Sequence, residues 1–165
     1  MEYLPVSEPL KFDLSKVFPG EAKRPERIPR PSYGGDRIRV LIADEDPVFR
    51  LTLFDVLSRA GYEVVVGETG VEAIAELRKA DHPLLAILGW KMEGMGGAEI
   101  CKRMRDAEKD AYLILSHAGP ATPEIVSGLE AGADHVLAKS IPPEELLAQV
   151  KAGVRIALRL QYRGS

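Results

Sequence analysis

Five short apolar runs alternate with amphipathic segments along this chain, and that alternation constrains its fold more than any other feature. The runs are RIRVLIA from Arg37, YEVVV from Tyr62, LLAIL from Leu84, AYLIL from Ala111 and HVLA from His135. Short, nearly continuous apolar runs suit strands that are covered on both faces. The intervening segments read as helices. Asp46 and Pro47 make a cap and first-turn proline, and Phe49, Leu53, Val56, Leu57 and Ala60 share one face until Gly61. Thr69 and Glu72 form a capping-box pair ahead of Ala73, Ile74 and Leu77. Ile100, Cys101 and Met104 face inward on the next segment, and Ile125, Val126 and Leu129 on the one opened by Thr122 and Pro123. A last helix starts near Pro143 and reaches toward Tyr162. Strand–helix units in strict alternation predict a parallel sheet with right-handed crossovers and helices on both faces, an α/β fold.

Residues 1–35 stand apart. Six of the twelve prolines precede Arg37, and GEAKRPERIPRPSYGGD has no apolar period, so an extended or irregular segment is expected. Within it, LKFDLSKVF has the composition for one or two amphipathic turns, with Phe12, Leu14, Val17 and Phe18 either packing on the domain or left free. The core domain is expected over 36–145, with a long helix over 143–165. Leu147, Val150, Val154, Ala157 and Gln161 follow a heptad-like spacing, which serves either a dimer seam, a lead into an output domain, or packing on the sheet.

Composition narrows the function. The chain has 165 residues, 45% of them apolar, which suffices for a core without disulfides or metals. A formal net charge of -3 argues against direct nucleic-acid binding. No apolar run approaches the ~20 residues of a membrane span, and MEYLPVSEPLKF lacks the order of a signal peptide. The single cysteine, Cys101, reads as a small buried hydrophobe in a reducing compartment, so a cytoplasmic location is expected.

In an open parallel α/β sheet, ligands bind beyond the carboxyl ends of the strands. The residues at those ends are Asp44, Glu45 and Asp46 after the first strand, Gly89 after the third, Ser116 after the fourth and Lys139 after the fifth. Singly, each has an ordinary role as cap, loop hydroxyl or solvated amine. Together they bring carboxylates, a hydroxyl and an amine to one edge, where a hard cation such as Mg²⁺ or a lysine would offset the repulsion between carboxylates.

At these residues the chain resembles the receiver domain of two-component response regulators, over about Arg37 to Ala157. VLIADEDP is similar to the family's acidic start, ILGWKMEGMGGAEIC to the loop around its phosphorylated aspartate, and GLEAGADHVLAKS to the approach to its lysine. The resemblance implies a flavodoxin-like (βα)5 fold with strand order 2-1-3-4-5 and an extended C-terminal helix. It implies that Asp44 and Glu45 match the metal-binding acidic pair, with the Lys91 backbone carbonyl as a further donor, and that Ser116 and Lys139 match the phosphoryl-holding hydroxyl and amine. In that alignment Gly89 occupies the phosphoacceptor position and supplies no nucleophile. Glu93 stands for the usual proline, Gly96 for the usual aspartate, Val136 for the switch aromatic, and Ser140 for the proline after the lysine. So many departures together suit a naturally divergent pseudo-receiver, and a trans bond is expected at Ser140.

The expected consequence is a non-enzymatic signalling module that requires no cofactor, with Mg²⁺ binding weakened. Lys139 is expected to pair with Asp44 or Asp46. Asp46 and Trp90 form the rim, where Trp90 shields the pocket, offers a contact surface or packs half-buried. Partners would be proteins: a histidine kinase, an output domain or another signalling protein, with homodimerisation through the fourth helix, fifth strand and fifth helix or through the C-terminal helix. Alternatives are a receiver phosphorylated at Asp44, Glu45 or Asp46, and a small-ligand sensor using the space at Gly89.

Overall fold

The structure is a computed structural model, and it describes residues 38–163. The N-terminal expectations, including LKFDLSKVF, lie outside the described residues. Five strands, β1 (Arg39–Ala43), β2 (Glu63–Gly67), β3 (Leu85–Gly89), β4 (Tyr112–His117) and β5 (His135–Ala138), alternate with five helices. These are α1 (Pro47–Arg59), α2 (Gly70–Arg78), α3 (Gly97–Asp106), α4 (Thr122–Ala131) and α5 (Pro143–Arg163). All strand pairs are parallel, in the order β2-β1-β3-β4-β5. This is the doubly wound architecture that the alternation predicts.

The sheet divides the core in two. On one face Val40, Ile42, Ile87 and Ile114 meet Phe49, Leu53, Val56 and Leu57 of α1 and Leu147, Val150, Val154 and Ala157 of α5. On the other, Leu41, Ala86, Leu88, Leu113 and Leu115 meet α2 and α3 through Ala73, Leu77, Ile100, Cys101 and Met104. The period-2 alternation of strand side chains sends neighbours to opposite layers.

Local chemistry explains the helix starts. The Asp46 side chain accepts from the amides of Val48 and Phe49 at 3.0 and 3.2 Å, and Pro47 costs nothing at a position whose N–H lacks a helical partner. The Thr69 hydroxyl accepts from the Glu72 amide at 3.2 Å, while the Glu72 carboxylate reaches back to the Glu68 amide at 2.8 Å.

One expectation is corrected and one open choice is resolved. On α4, Ile125 is half-buried, and Val126 and Leu129 are 46% and 45% exposed rather than inward. The buried residue of α4 is Gly128, where an added Cβ would lie 2.9 Å from Leu115 Cδ1 and 3.0 Å from Trp90 Cζ3. The helix therefore approaches the sheet through its glycine and holds its larger apolar side chains outside. On α5, the heptad-like residues Leu147, Val150, Val154 and Ala157 are buried in the protein's own core, so that seam is not a free dimer surface. Packing on the sheet uses the same period that a coiled coil would.

Candidate functional site: a carboxylate–ammonium pocket at the sheet edge

Parallel strands end together, so the residues following β1, β3, β4 and β5 converge at one edge. The ladder places Gly89 beside Ser116. Two backbone bonds continue the pairing past the strand ends, from Trp90 N to Ser116 O and from Lys139 N to His117 O, both at 2.9 Å. Asp44 follows Ala43 at the end of β1 and is 1% exposed; Ser116 is fully buried.

Asp44 is the centre of this edge. Its Oδ1 accepts from Lys139 Nζ at 2.7 Å and from the Asp46 amide at 2.9 Å. Its Oδ2 accepts from Ser116 Oγ at 3.0 Å, a shorter contact than the one from Ser116 to Leu88 O at 3.3 Å. A hydroxyl has one proton to donate, so the carboxylate holds it. The Asp44 carbonyl accepts from Arg50 Nη1 at 2.6 Å, and Arg50 in turn pairs with Glu68 at 3.5 Å. The Lys139 amine also stands 5.3 Å from the Phe49 ring centroid, over its face. A buried carboxylate is costly unless it is paired and hydrogen-bonded, and Asp44 is both.

The glycine eases this arrangement. An ideal Cβ at Gly89 would lie 3.0 Å from Asp44 Oδ2 and 3.1 Å from Asp44 Cγ. A side chain at position 89 would thus press on the Asp44 carboxylate, which would have to give by a few tenths of an ångström. Of the two partners considered for Lys139, the structure selects Asp44. Asp46 remains half-buried at the rim, committed to capping α1.

The remaining expected residues divide. Glu45 and Lys91 are exposed and take no part in the Asp44–Lys139 contact. These donors fit Mg²⁺ poorly. The ion demands several oxygen ligands in octahedral geometry, whereas Gly89 offers no side chain and both Asp44 oxygens are engaged by protein donors. No group of three or more His, Cys, Asp or Glu able to hold a metal occurs among the described residues. The described residues also contain no cis peptide bond, so the step into Ser140 is trans.

Trp90 leads from the pocket to α4. Its ring packs edge-on to His117, with centroids 5.5 Å apart and planes at 73°, and rests in the notch left by Gly128. Val136 closes the same notch, its Cγ2 lying 3.2 Å from where a Gly128 Cβ would be. A tryptophan just after β3 thus fills space beside a valine on β5. The loop after Trp90 is tight. Gly97 N donates to Trp90 O at 3.3 Å, and a Cβ on Gly97 would meet Gly89 O at 2.5 Å, so only glycine allows this approach. The sequence reading missed Arg50, Phe49 and Gly128 as parts of the site. Arg50 and Phe49 sit one turn into α1, close to Asp44 in the chain; nothing short of the fold reveals the notch at Gly128.

Comparison with known proteins follows the same lines. The sequence model described as the response regulator receiver domain matches residues 40–151. The chain is 36% identical over 118 residues to a response regulator MprA of Mycobacterium ulcerans, covering 72% of this chain and 50% of that protein. It therefore spans about half the length of the curated relatives it matches. Among solved structures, a putative response regulator of Chloroflexus aurantiacus superposes with a TM-score of 0.68 at 32% identity, covering 73% of this chain and 99% of that one. A CheY-like receiver domain protein of Methanospirillum hungatei gives 0.69 at 25% identity, covering 75% and 98%.

Proposed function

This chain belongs to the response regulator receiver domain family, and we propose that it signals without taking a phosphoryl group at the family's usual position. One observation carries the reading: Lys139 Nζ bonds Asp44 Oδ1 at 2.7 Å beside a glycine that leaves room for the carboxylate. The ammonium supplies internally the positive charge that a carboxylate pocket otherwise draws from a cation. With Ser116 also bound to Asp44, the hydroxyl and amine that would hold phosphoryl oxygens are already occupied. The domain then acts as a cytoplasmic binding module rather than an enzyme, needs no cofactor, and has its state set by protein partners. Its output would come through a kinase, an output domain or another signalling protein, by way of α4, β5 and α5. Val126 and Leu129 of α4 and Ile156 and Leu160 of α5 are exposed apolar residues suited to such contacts.

Intact-mass measurement after incubation with acetyl phosphate and Mg²⁺ tests this. The expected result is no gain in mass and no change in Trp90 fluorescence. A gain of one phosphate mapping to Asp44, Glu45 or Asp46 would instead establish the phosphoacceptor reading. The burial of Asp44 and the capping role of Asp46 weigh against that outcome. A small-ligand sensor is disfavoured because the Asp44 carboxylate lies against Gly89.

A further inference from the structure

The solvent side of α1 carries Val48, Leu51 and Phe54, which are 60%, 69% and 43% exposed. Spaced by three, they form a stripe opposite the buried face of Phe49, Leu53, Val56 and Leu57. The outer face of a surface helix is ordinarily polar, so three large apolar side chains in register mark a face that lacks its partner. β2 extends the patch. The reach of Arg50 to Glu68 identifies the flank of α1 that faces β2, and Phe54 lies one turn further along that flank. Val66, on the edge strand, is 46% exposed on the sheet face that α1 covers.

We propose that this face is covered by the chain's own N-terminal segment, residues 10–18, docked as a short amphipathic helix. In LKFDLSKVF, Leu10, Leu14, Val17 and Phe18 fall at i, i+4, i+7 and i+8, one side of a helix, with Asp13 and Lys16 away from it and Phe12 alone among the apolar residues on the far side. At 1.5 Å per residue such a helix is about 13 Å long, a fair match to α1 at roughly 20 Å. The tether emerges on the correct side. Ile38 packs against the core cluster that α1 lines, and its carbonyl accepts from Glu63 N of β2 at 2.9 Å. A linker the length of 19–37, with prolines at 19, 25, 29 and 31, can reach at most roughly 60 Å at ~3.1 Å per residue, ample for a return along α1. A linker of this kind gives an effective concentration in about the millimolar range, so a weak apolar contact suffices. A partner that binds α1 would then compete with residues 10–18. The inference is independent of whether the Asp44 pocket takes phosphate.

The test is a paramagnetic label on Ser15→Cys in the full chain, read on methyl signals. The native thiol of Cys101 is buried, and its pKa is pushed up to about 12, so the label goes to the introduced cysteine. The expected result is broadening of Val48, Leu51 and Val66 methyls at least tenfold stronger than of Val126 and Leu129. That broadening should be unchanged on tenfold dilution and lost in a Leu14→Asp, Val17→Asp variant. Loss in Leu51→Ser, whose side chain is at the surface, separates docking from misfolding. Uniform broadening, broadening centred on α4, or broadening that fades on dilution and so reports a second copy would each overturn the proposal.

Discussion

The Lys139 ammonium and the Asp44 carboxylate meet at 2.7 Å across 95 positions of sequence, tying the end of β5 to the end of β1. The pair spans the sheet edge beside Gly89, where the Asp44 carboxylate lies against the glycine. Asp44 is 1% exposed, so its burial is tolerable only while its partners remain.

Removing the amine is therefore expected to be costly. Lys139→Met should lower unfolding free energy by about 3 kcal/mol in urea titration, because a buried carboxylate loses its counter-charge. Asp44→Asn should cost less, about 1–2 kcal/mol, since the amide oxygen in the Oδ1 position can still accept from Asp46 N and Lys139 Nζ, while the Ser116 hydroxyl turns to donate to Leu88 O. A double-mutant cycle should return a coupling above about 1 kcal/mol; additivity would show that the pair contributes nothing specific.

Gly89→Asp should strain the pocket as well as add a carboxylate to it. Its Cβ would lie 3.0 Å from Asp44 Oδ2, and two carboxylates would then share one ammonium. We expect a destabilisation of about 1–3 kcal/mol without divalent cations, partly recovered on adding Mg²⁺. The parent protein should show no Mg²⁺-dependent change in Tm. Equal stability of variant and parent in chelator would show that Asp44 swings away freely.

Gly128→Ala places a methyl among Leu115, Trp90 and Val136. Alanine gains about 1 kcal/mol of helix propensity, and overpacking costs about 1–3 kcal/mol, so a net loss near 1 kcal/mol is expected. The same substitution should shift Trp90 emission, because the ring must leave its notch. An unchanged spectrum would argue that Trp90 is not seated there.

Cys101 gives a pH signature. Burial, the largest influence, raises its thiol from 9.0 to about 12, and burial likewise raises Tyr62 and Tyr112 above 10.0. A group raised in the folded state releases its proton first in the unfolded chain. Stability is therefore full below pH 9 and falls between pH 9 and about 12. Alkaline melts should show this decline, and a thiol reagent at pH 8 should label Cys101 only at the rate of unfolding.

Much of this was legible in one dimension. The strands were visible because a sheet covered on both faces demands unbroken apolar runs, and the inward faces of α1, α2 and α3 because a single stripe of each meets the core. The identity of the edge residues followed from topology, since parallel strands bring Asp44, Gly89, Ser116 and Lys139 to one side. The inward face of α4 was misjudged for a physical reason. Periodicity locates an apolar stripe, but a glycine that admits a tryptophan ring can draw the helix in on a different side.

The sequence by itself determined the alternating architecture, the glycine at position 89 and the set of groups that the strand ends place around it. Only the tertiary structure decided how those groups are used: that Lys139 takes Asp44 rather than Asp46, that Ser116 turns to the same carboxylate, and that the α5 seam is spent on the core. The reason is distance. Propensity and hydrophobic period act over a few residues and are written locally, whereas the choice of a charge's partner depends on angstroms between side chains carried on strands that meet only when the sheet closes.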